Sequence, residues 1–166
     1  MIFNYFAQNW IEITAVIFAI LYLVLAVKQN IFCWFFGILS SILYFFIMRS
    51  AGLYMEAYLQ IFYVCMGFYG WSQWRKGLEN ESSFKVNTWS KSQHFLSVSM
   101  ILLLSIISGS LLSSFTNAAL PFWDALVTWG AVVATYMVAK KLLENWLYWL
   151  VIDSISILLF ISRDLW

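Results

Sequence analysis

Side chains that could bind a small ligand recur at three- and four-residue steps inside long apolar stretches of this sequence. They combine aromatic rings, amides, a hydroxyl and one carboxylate: Trp34, Gln60, Tyr63, Trp71, Thr128, Asn145, Trp146, Trp149 and Asp153. Polar groups at membrane depth are costly, so they tend to face a bundle interior or a water-filled cavity. Because aromatic faces attract cations and a carboxylate compensates their charge, the pattern favours a flat cationic ligand.

Structural roles for the same residues stay open. Trp and Tyr near helix ends commonly form belts at the membrane interface. Gly37 and Gly67 lie on the same helix faces, and they suit close packing between helices better than ligand contact. Gln60 and Asp153 lie deeper, where an interhelical hydrogen bond is the alternative. His94 opens a helix beside a polar loop, and we assign it no chemical role.

The composition indicates that membrane-spanning helices hold these residues. The chain is 63% hydrophobic, 20% aromatic and 10% charged, which leaves too few charges to cover a soluble domain. About 20 apolar residues cross the hydrocarbon core as a helix. Six segments approach that length, namely 11–28, 31–48, 54–74, 94–114, 123–139 and 146–162. They lack the ~10-residue alternation of outer-membrane strands. We therefore expect an all-α polytopic membrane protein.

A few residues with special chemistry agree with this interpretation. Pro121 precedes the fifth segment, where proline suits the first helical turn. Cys33 and Cys65 lie inside apolar segments without metal-ligand spacing, so we interpret both as small hydrophobes. The N-terminus has no basic region or small-residue cleavage site, so we do not expect the first segment to be a removable signal peptide. The sequence predicts no cofactor, no metal and no nucleic-acid partner.

The distribution of Lys and Arg predicts the orientation, because positively charged loops stay in the cytoplasm. Seven of these residues fall at one set of segment ends, which are Lys28, Arg75, Lys76, Lys85, Lys91, Lys140 and Lys141. Arg49 and Arg163 fall at the other set. We therefore expect residues 75–93 to form a cytoplasmic loop and the N-terminus to lie outside.

An internal repeat divides the chain on either side of this loop. An ungapped offset of 112 residues aligns Glu12 with Asp124, Lys28 with Lys140, and Trp34 with Trp146. Ranges 10–74 and 122–166 then become parallel three-helix repeats, joined by the linker helix 94–114 in a three-plus-one-plus-three plan. The last helix of the second repeat would begin where the sequence ends, so we expect it to be missing here or supplied by a partner.

Short motifs occur along nearly the whole chain. The motifs of the first half are W-I-E at 10–12, N-I-x-C-W-x-x-G-I-x-S-S at 30–41, A-G-L-Y at 51–54 and L-Q-x-F-Y-x-x-M-x-x-Y-G-W-x-x-W at 59–74. The second half adds E-N-W-L-x-W-x-x-x-D at 144–153 and S-R-D-L-W at 162–166. The motifs at 59–74 and 144–153 together are specific. Through these motifs the chain resembles the PnuC family of bacterial vitamin transporters.

This resemblance implies a fold similar to a duplicated SWEET sugar transporter, facilitated diffusion with cytoplasmic phosphorylation of the substrate, and a homotrimer. It also implies that the third and sixth helices supply the pocket, through Gln60, Tyr63, Trp71, Asn145, Trp146, Trp149 and Asp153. Trp34 and Thr128 join this set through the polar spacing described above.

The expected function is transport of nicotinamide riboside or a related cationic heteroaromatic vitamin. Thiamine is the nearest alternative substrate, because it is also a cationic heteroaromatic. A membrane protein that transports nothing is the alternative from another class, suggested by the expected loss of a helix. An enzyme is not expected, since Asp153 alone supplies no nucleophile and base at membrane depth.

Overall fold

The computed structural model describes residues 10–50, 54–79, 85–115 and 120–162. In these ranges it forms six α-helices, which are α1 (Trp10–Val27), α2 (Phe32–Ser50), α3 (Tyr54–Glu79), α4 (Lys91–Phe115), α5 (Pro121–Ala139) and α6 (Asn145–Ser162). The all-helical prediction is confirmed, and each predicted apolar segment matches one helix to within a few residues. Pro121 occupies the first turn of α5, as its fixed φ favours.

Four of the six described helices are long and apolar enough to cross a membrane, namely α1, α2, α4 and α5. Helix α6 offers a shorter described apolar stretch, Asn145–Leu159. Helix α3 is the longest, with 26 residues, but it interleaves apolar residues with Gln60, Gln73 and the basic residues Arg75 and Lys76. That all six helices span the bilayer therefore stays a prediction.

The polar stretch 75–93 is more helical than the sequence suggested. Helix α3 continues past Trp74 to Glu79, and α4 already begins at Lys91. The early start of α4 has a local cause, because Ser90 and Gln93 form a capping box. The Ser90 N–H donates to Gln93 Oε1 at 2.8 Å, and the Gln93 N–H donates to Ser90 Oγ at 3.4 Å. Of the expected loop, only residues 85–90 are described as non-helical chain.

The chain divides into two compact units, residues 1–84 and 85–166. In the first unit α2 packs against both α1 and α3. Its contact with α1 is close: the Ser40 hydroxyl donates to the Ala15 carbonyl oxygen at 3.0 Å, and the Phe18 and Phe36 rings lie 5.8 Å apart. A methyl group on Gly37 would meet the Tyr22 ring. Small residues and one interhelical hydrogen bond thus bring α1 and α2 together.

The contact between α2 and α3 also depends on glycine. Gly67 faces the side chain of Ile38, and Gly70 faces the indole of Trp34, in both cases with no room for a Cβ unless the neighbour moves. The packing role expected for Gly67 is therefore present. Trp34 lies edge-on to Trp74, with ring centroids 5.7 Å apart and planes at 88°.

In the second unit α5 is the central helix and packs against both α4 and α6. Gly109 of α4 approaches Phe122, and the Trp129 indole N–H donates to Ser108 Oγ at 2.9 Å. On the other side of α5, a Cβ on Gly130 would lie 3.0 Å from Ile152 of α6. Small residues therefore bring the helices of this unit together as well.

The turns α1–α2 and α5–α6 have the same backbone conformation. Each contains a residue in the left-handed region, Gln29 with φ 55° and Lys141 with φ 54°. Their backbone hydrogen bonds also correspond at the 112-residue offset. The Asn30 N–H donates to Leu25 O and the Leu142 N–H to Met137 O, both at 2.9 Å. The Gln29 N–H donates to Ala26 O and the Lys141 N–H to Val138 O, both at 3.0 Å. This agreement supports the repeat over one helical hairpin. The complete three-plus-one-plus-three plan stays a prediction.

Candidate functional site

Trp34 is the most deeply placed of the candidate residues in the first unit. Its side chain is 2% exposed and lies between Tyr22, at 6.2 Å between ring centroids, and Trp74. The indole Nε1 is buried and has no hydrogen-bond partner among the described residues. An unpaired buried donor is costly, so this atom is available to a polar group that enters the unit.

The candidates on α3 lie along the helix side that meets α2. Gln60 and Tyr63 are half-buried, on the same side as Gly67 and Trp74, which pack on α2. Trp71 is half-buried too, and its ring lies edge-on to Phe32 at 5.8 Å. The spacing of three and four residues therefore identified a packed helix face as well as candidate ligand contacts.

An open depression lies at the carboxyl end of α3. It has a volume of about 380 Å³ and is lined by Trp71, Ser72, Arg75 and Lys76. Ser72, Arg75 and Lys76 are exposed, so the depression is basic and accessible. Trp71 is the one candidate residue that reaches it.

Asn145 is the buried polar residue at the start of α6. Its side chain is 5% exposed, and Nδ2 donates to the Leu142 carbonyl oxygen of the preceding turn. Oδ1 is buried without a partner among the described residues. A side-chain amide held at one end, with its acceptor unpaired, is suited to accept a hydrogen bond from a ligand N–H or O–H.

The other α6 candidates, Trp146, Trp149 and Asp153, follow steps of three and four residues along one stripe of the helix and differ in exposure. Trp149 is half-buried and precedes Ile152 by three residues, on the side that packs against α5. Trp146 is 36% exposed, and Asp153, four residues after Trp149, is exposed beside apolar neighbours such as Leu150. A carboxylate on an apolar helix surface needs a polar environment in the membrane. The position of Asp153 in α6 therefore still favours a role in ligand binding.

Thr128 lies on the central helix of the second unit and is half-buried. Two turns further along α5, Thr135 is buried and its hydroxyl donates to the Ala131 carbonyl oxygen at 2.7 Å. This bond satisfies the Thr135 hydroxyl within its own helix, so Thr128 remains the candidate threonine of α5.

Sequence reasoning missed a polar cluster near Asn145. The Trp89 backbone N–H donates to Glu144 Oε1 at 3.0 Å, and His94 Nε2 lies 3.6 Å from the same oxygen. His94 Nδ1 and the Tyr148 hydroxyl are 3.0 Å apart. These partners lie more than 50 positions apart in sequence, so periodicity could not reveal them. Within the described ranges, no group of three or more His, Cys, Asp or Glu residues could hold a metal ion.

Comparison with known proteins identifies the family. Residues 9–166 match the family described as nicotinamide mononucleotide transporter. The chain belongs to this family. The resemblance inferred from the motifs is confirmed, and this member of the nicotinamide mononucleotide transporter family is a multi-pass membrane transporter.

Several characterised relatives share most of the chain. The nicotinamide riboside transporter PnuC of Escherichia coli (strain K12) is 28% identical, over 92% of this chain and 74% of the relative. The riboflavin/roseoflavin transporter RibM of Streptomyces davaonensis is 24% identical, over 89% of this chain and 70% of the relative. The crystal structure of the vitamin B3 transporter PnuC matches with a TM-score of 0.79 and 24% identity, covering 96% of this chain and 70% of that chain. The last match supports the fold.

Proposed function

We propose that this chain carries nicotinamide riboside, or a related cationic heteroaromatic vitamin, across a bacterial inner membrane by facilitated diffusion. The match of residues 9–166 to the transporter family is the observation that carries the proposal. The Escherichia coli relative named as a nicotinamide riboside transporter gives the substrate class.

We place binding residues in each unit. In the first unit, Trp34, Gln60, Tyr63 and Trp71 offer aromatic faces and one amide, and the Trp34 Nε1 is a buried donor without a described partner. In the second unit the proposed binding residues are Thr128, Asn145, Trp146, Trp149 and Asp153. Among them, Asn145 Oδ1 is a buried acceptor without a described partner. Aromatic faces suit a nicotinamide ring, and the Asp153 carboxylate suits its positive charge or the ribose hydroxyls.

Riboflavin is the second candidate substrate, because one relative is named as a riboflavin/roseoflavin transporter. Its isoalloxazine ring is uncharged and larger than nicotinamide. Charge compensation by Asp153 favours only the cationic ligand, so a loss of affinity in Asp153→Asn that is confined to nicotinamide riboside discriminates between the two. Thiamine, which is also a cation, stays the alternative within the first class.

Uptake into proteoliposomes tests the proposal directly. We expect the purified chain to admit labelled nicotinamide riboside, and unlabelled nicotinamide riboside to compete better than thiamine or riboflavin. Protein-free liposomes are the control. Uptake of labelled riboflavin alone would replace the proposed substrate with the second candidate. No uptake of any of the three vitamins would refute transport of this class.

We further infer that residues 85–90 and the α5–α6 turn lie in the cytoplasm. Backbone bonds between Asn87 and the turn bring Lys85, Lys91, Lys140 and Lys141 to one end of the second unit, and positive charge favours the cytoplasm. A cysteine at exposed Thr88, in a Cys33→Ala, Cys65→Ala background, should react with an impermeant maleimide only after cells are opened. Reaction in intact cells would reverse the orientation.

The finer architecture remains part of the proposal. The repeated hairpin turn favours parallel repeats in a three-plus-one-plus-three plan. The resemblance to the family favours a homotrimer, which native mass spectrometry of the detergent-solubilised chain would test. A monomer or dimer as the main species would contradict it.

A further inference from the structure

Residues 85–90 attach to the turn between α5 and α6 through their backbone. The Asn87 N–H donates to the Lys141 carbonyl oxygen at 3.0 Å, and the Asn87 carbonyl oxygen accepts from the Leu143 N–H at 2.9 Å. These two bonds form an isolated parallel bridge between Asn87 and Leu142. A segment far away in sequence therefore satisfies backbone groups of the turn that leads into α6.

Four side chains extend this attachment, and we refer to Trp89, His94, Glu144 and Tyr148 as the α6 clasp. Glu144 Oε1 accepts from the Trp89 N–H at 3.0 Å and faces His94 Nε2 at 3.6 Å. On the other side of the ring, His94 Nδ1 lies within hydrogen-bond distance of the Tyr148 hydroxyl, at 3.0 Å. The His94 ring also contacts the Trp89 and Tyr148 rings, at 5.6 and 5.8 Å.

Glu144 connects the clasp to the first turn of α6. Its backbone carbonyl oxygen accepts from the N–H groups of Leu147 at 3.0 Å and Tyr148 at 3.3 Å, while its side chain is held by Trp89 and His94. The next residue is Asn145, whose Nδ2 bonds back to Leu142. Fixing Glu144 at both ends therefore limits the directions in which Asn145 Oδ1 can point.

The equivalent turn of the first unit has a simpler arrangement. Phe32 occupies the position that corresponds to Glu144, and its backbone N–H is capped by Asn30 Oδ1 at 3.0 Å. Among the described residues, the bridge to Leu142 is the one isolated bridge, and it belongs to the second unit. In the part of the chain that the structure describes, the second hairpin therefore carries contacts at the start of its second helix that the first hairpin lacks, and these contacts adjoin Asn145.

We propose that Glu144 and His94 are positioning residues for substrate binding, which hold the entrance of α6 so that Asn145 presents its unpaired oxygen in one direction. This inference rests on the proposed function, because it takes Asn145 as a binding residue. Neither Glu144 nor His94 touches the substrate in this proposal. Their effect on affinity passes through the first turn of α6.

The first experiment is amide hydrogen exchange on the full chain in nanodiscs, without substrate. In Glu144→Ala we expect the amides of Trp89, Leu143 and Leu147 to exchange at least about tenfold faster, because Trp89 loses its acceptor and the turn its anchor. Ser113→Ala, which removes an exposed hydroxyl bond to Ser110 at the other end of α4, is the control and should leave these amides unchanged. Unchanged exchange in Glu144→Ala would overturn the clasp.

The second experiment measures the Kd for nicotinamide riboside. Glu144→Ala should raise Kd about tenfold, while Glu144→Gln, which keeps an acceptor oxygen for the Trp89 N–H, should stay within about threefold of the wild type. His94→Phe keeps an aromatic ring but removes the polar contacts to Glu144 and Tyr148, and its Kd should lie between those of the two Glu144 variants. A Kd close to the wild-type value in Glu144→Gln would show that the hydrogen bond to Trp89, and not the negative charge of Glu144, supports binding.

The outcomes distinguish this inference from the proposed function. Faster exchange with unchanged Kd in Glu144→Ala would show that the clasp is structural only and would overturn its positioning role. Equal losses in Glu144→Gln and Glu144→Ala would also overturn it, since charge rather than the hydrogen bond would then act. If the wild type binds none of the vitamins while Glu144→Ala still shows accelerated exchange, the proposed function is refuted and the α6 clasp is supported as a structural contact.

Discussion

Cys33 and Asn145 occupy equivalent positions in the two hairpins, but Asn145 has a buried oxygen without a described hydrogen-bond partner. Each is buried in the first turn after a left-handed residue, and each backbone N–H donates to the residue three positions earlier, Asn30 or Leu142. A thiol suits such a place as a small hydrophobe. An amide with an unpaired oxygen is costly there, and a ligand that pairs with this oxygen would offset the cost.

Exchange of these two residues is therefore a sharp test. We expect Asn145→Cys to fold and to keep its melting temperature within a few degrees, because the first hairpin accommodates a thiol at this position. Its Kd for nicotinamide riboside should rise by about tenfold or more, since the acceptor is lost. Thermal unfolding and equilibrium binding measure the two effects. Cys33→Asn is the reverse exchange at the equivalent position. It should lower the melting temperature, because the buried amide has no ligand to pair with there.

Asp153 gives a second test at this scale. Asp153→Asn keeps the shape of the side chain and removes its charge, so we expect weaker binding of the cationic substrate by about tenfold with little change in folding, because the residue is exposed on its helix. Riboflavin, which carries no positive charge, serves as the comparison ligand. Equal affinity of Asp153→Asn and the wild type for nicotinamide riboside would remove Asp153 from the site.

Helical hairpins are the repeated element of this protein, and their turns carry a conformational cost. Gln29 and Lys141 adopt the left-handed region, which costs roughly 1–2 kcal/mol in a residue other than glycine. The neighbour Lys140 has φ −89° and pays no such cost. The strain is offset by the backbone bonds that close both turns.

Glycine substitutions should reveal this strain. We expect Gln29→Gly and Lys141→Gly each to stabilise the protein by about 1 kcal/mol, measured as a rise in melting temperature in detergent. Lys140→Gly is the adjacent control and should be neutral or destabilising, since its backbone gains nothing from glycine. A rise for Lys140→Gly equal to that for Lys141→Gly would contradict the conformational explanation.

The helices could be predicted from the sequence, but the orientation of their faces could not. Apolar length alone locates all six helices, and the Ser90–Gln93 capping box is readable as a helix start even though the predicted helix began three residues later. Spacing of three and four residues identifies a face of a helix without saying what it meets. For this reason Gly67 and Trp74 share the candidate stripe of Gln60 and yet pack against α2.

The contacts that hold Glu144 were hidden for a different reason. Trp89 and Glu144 are 55 residues apart, and their hydrogen bond involves a backbone N–H, which exists at every position except proline. No residue type therefore marks the donor. His94 is the one histidine of the chain, and a single histidine beside a loop gives no indication of its partners.

At the scale of the whole molecule, each unit leaves large apolar side chains exposed. Phe46 on α2 and Phe68 on α3 are more than half exposed in the first unit. In the second unit the same holds for Phe95 and Phe115 on α4 and Leu150 on α6. In water such surfaces would aggregate, whereas in a bilayer they contact lipid or other apolar partners. The exterior of the molecule thus agrees with the membership in a transporter family.

Facilitated diffusion makes a prediction for the complete protein in a sealed membrane. Proteoliposomes loaded with unlabelled nicotinamide riboside should take up labelled substrate faster than empty ones by counterflow, and a protonophore or a sodium gradient should not change the initial rate. At zero membrane potential, an imposed ion gradient drives accumulation of the cationic substrate only when the ion binds together with the substrate. Accumulation against a concentration gradient at zero membrane potential would show coupling and contradict facilitated diffusion.

The bond between Trp89 and Glu144 also sets an order of events during synthesis. The Trp89 amide leaves the ribosome 55 residues before its acceptor, so α4 must begin with this amide bonded to water. The bond can close only after α5 has been synthesised and the α5–α6 turn has reached the start of α4. Until then the Trp89 amide lacks its Glu144 acceptor, so this hydrogen bond forms late in folding.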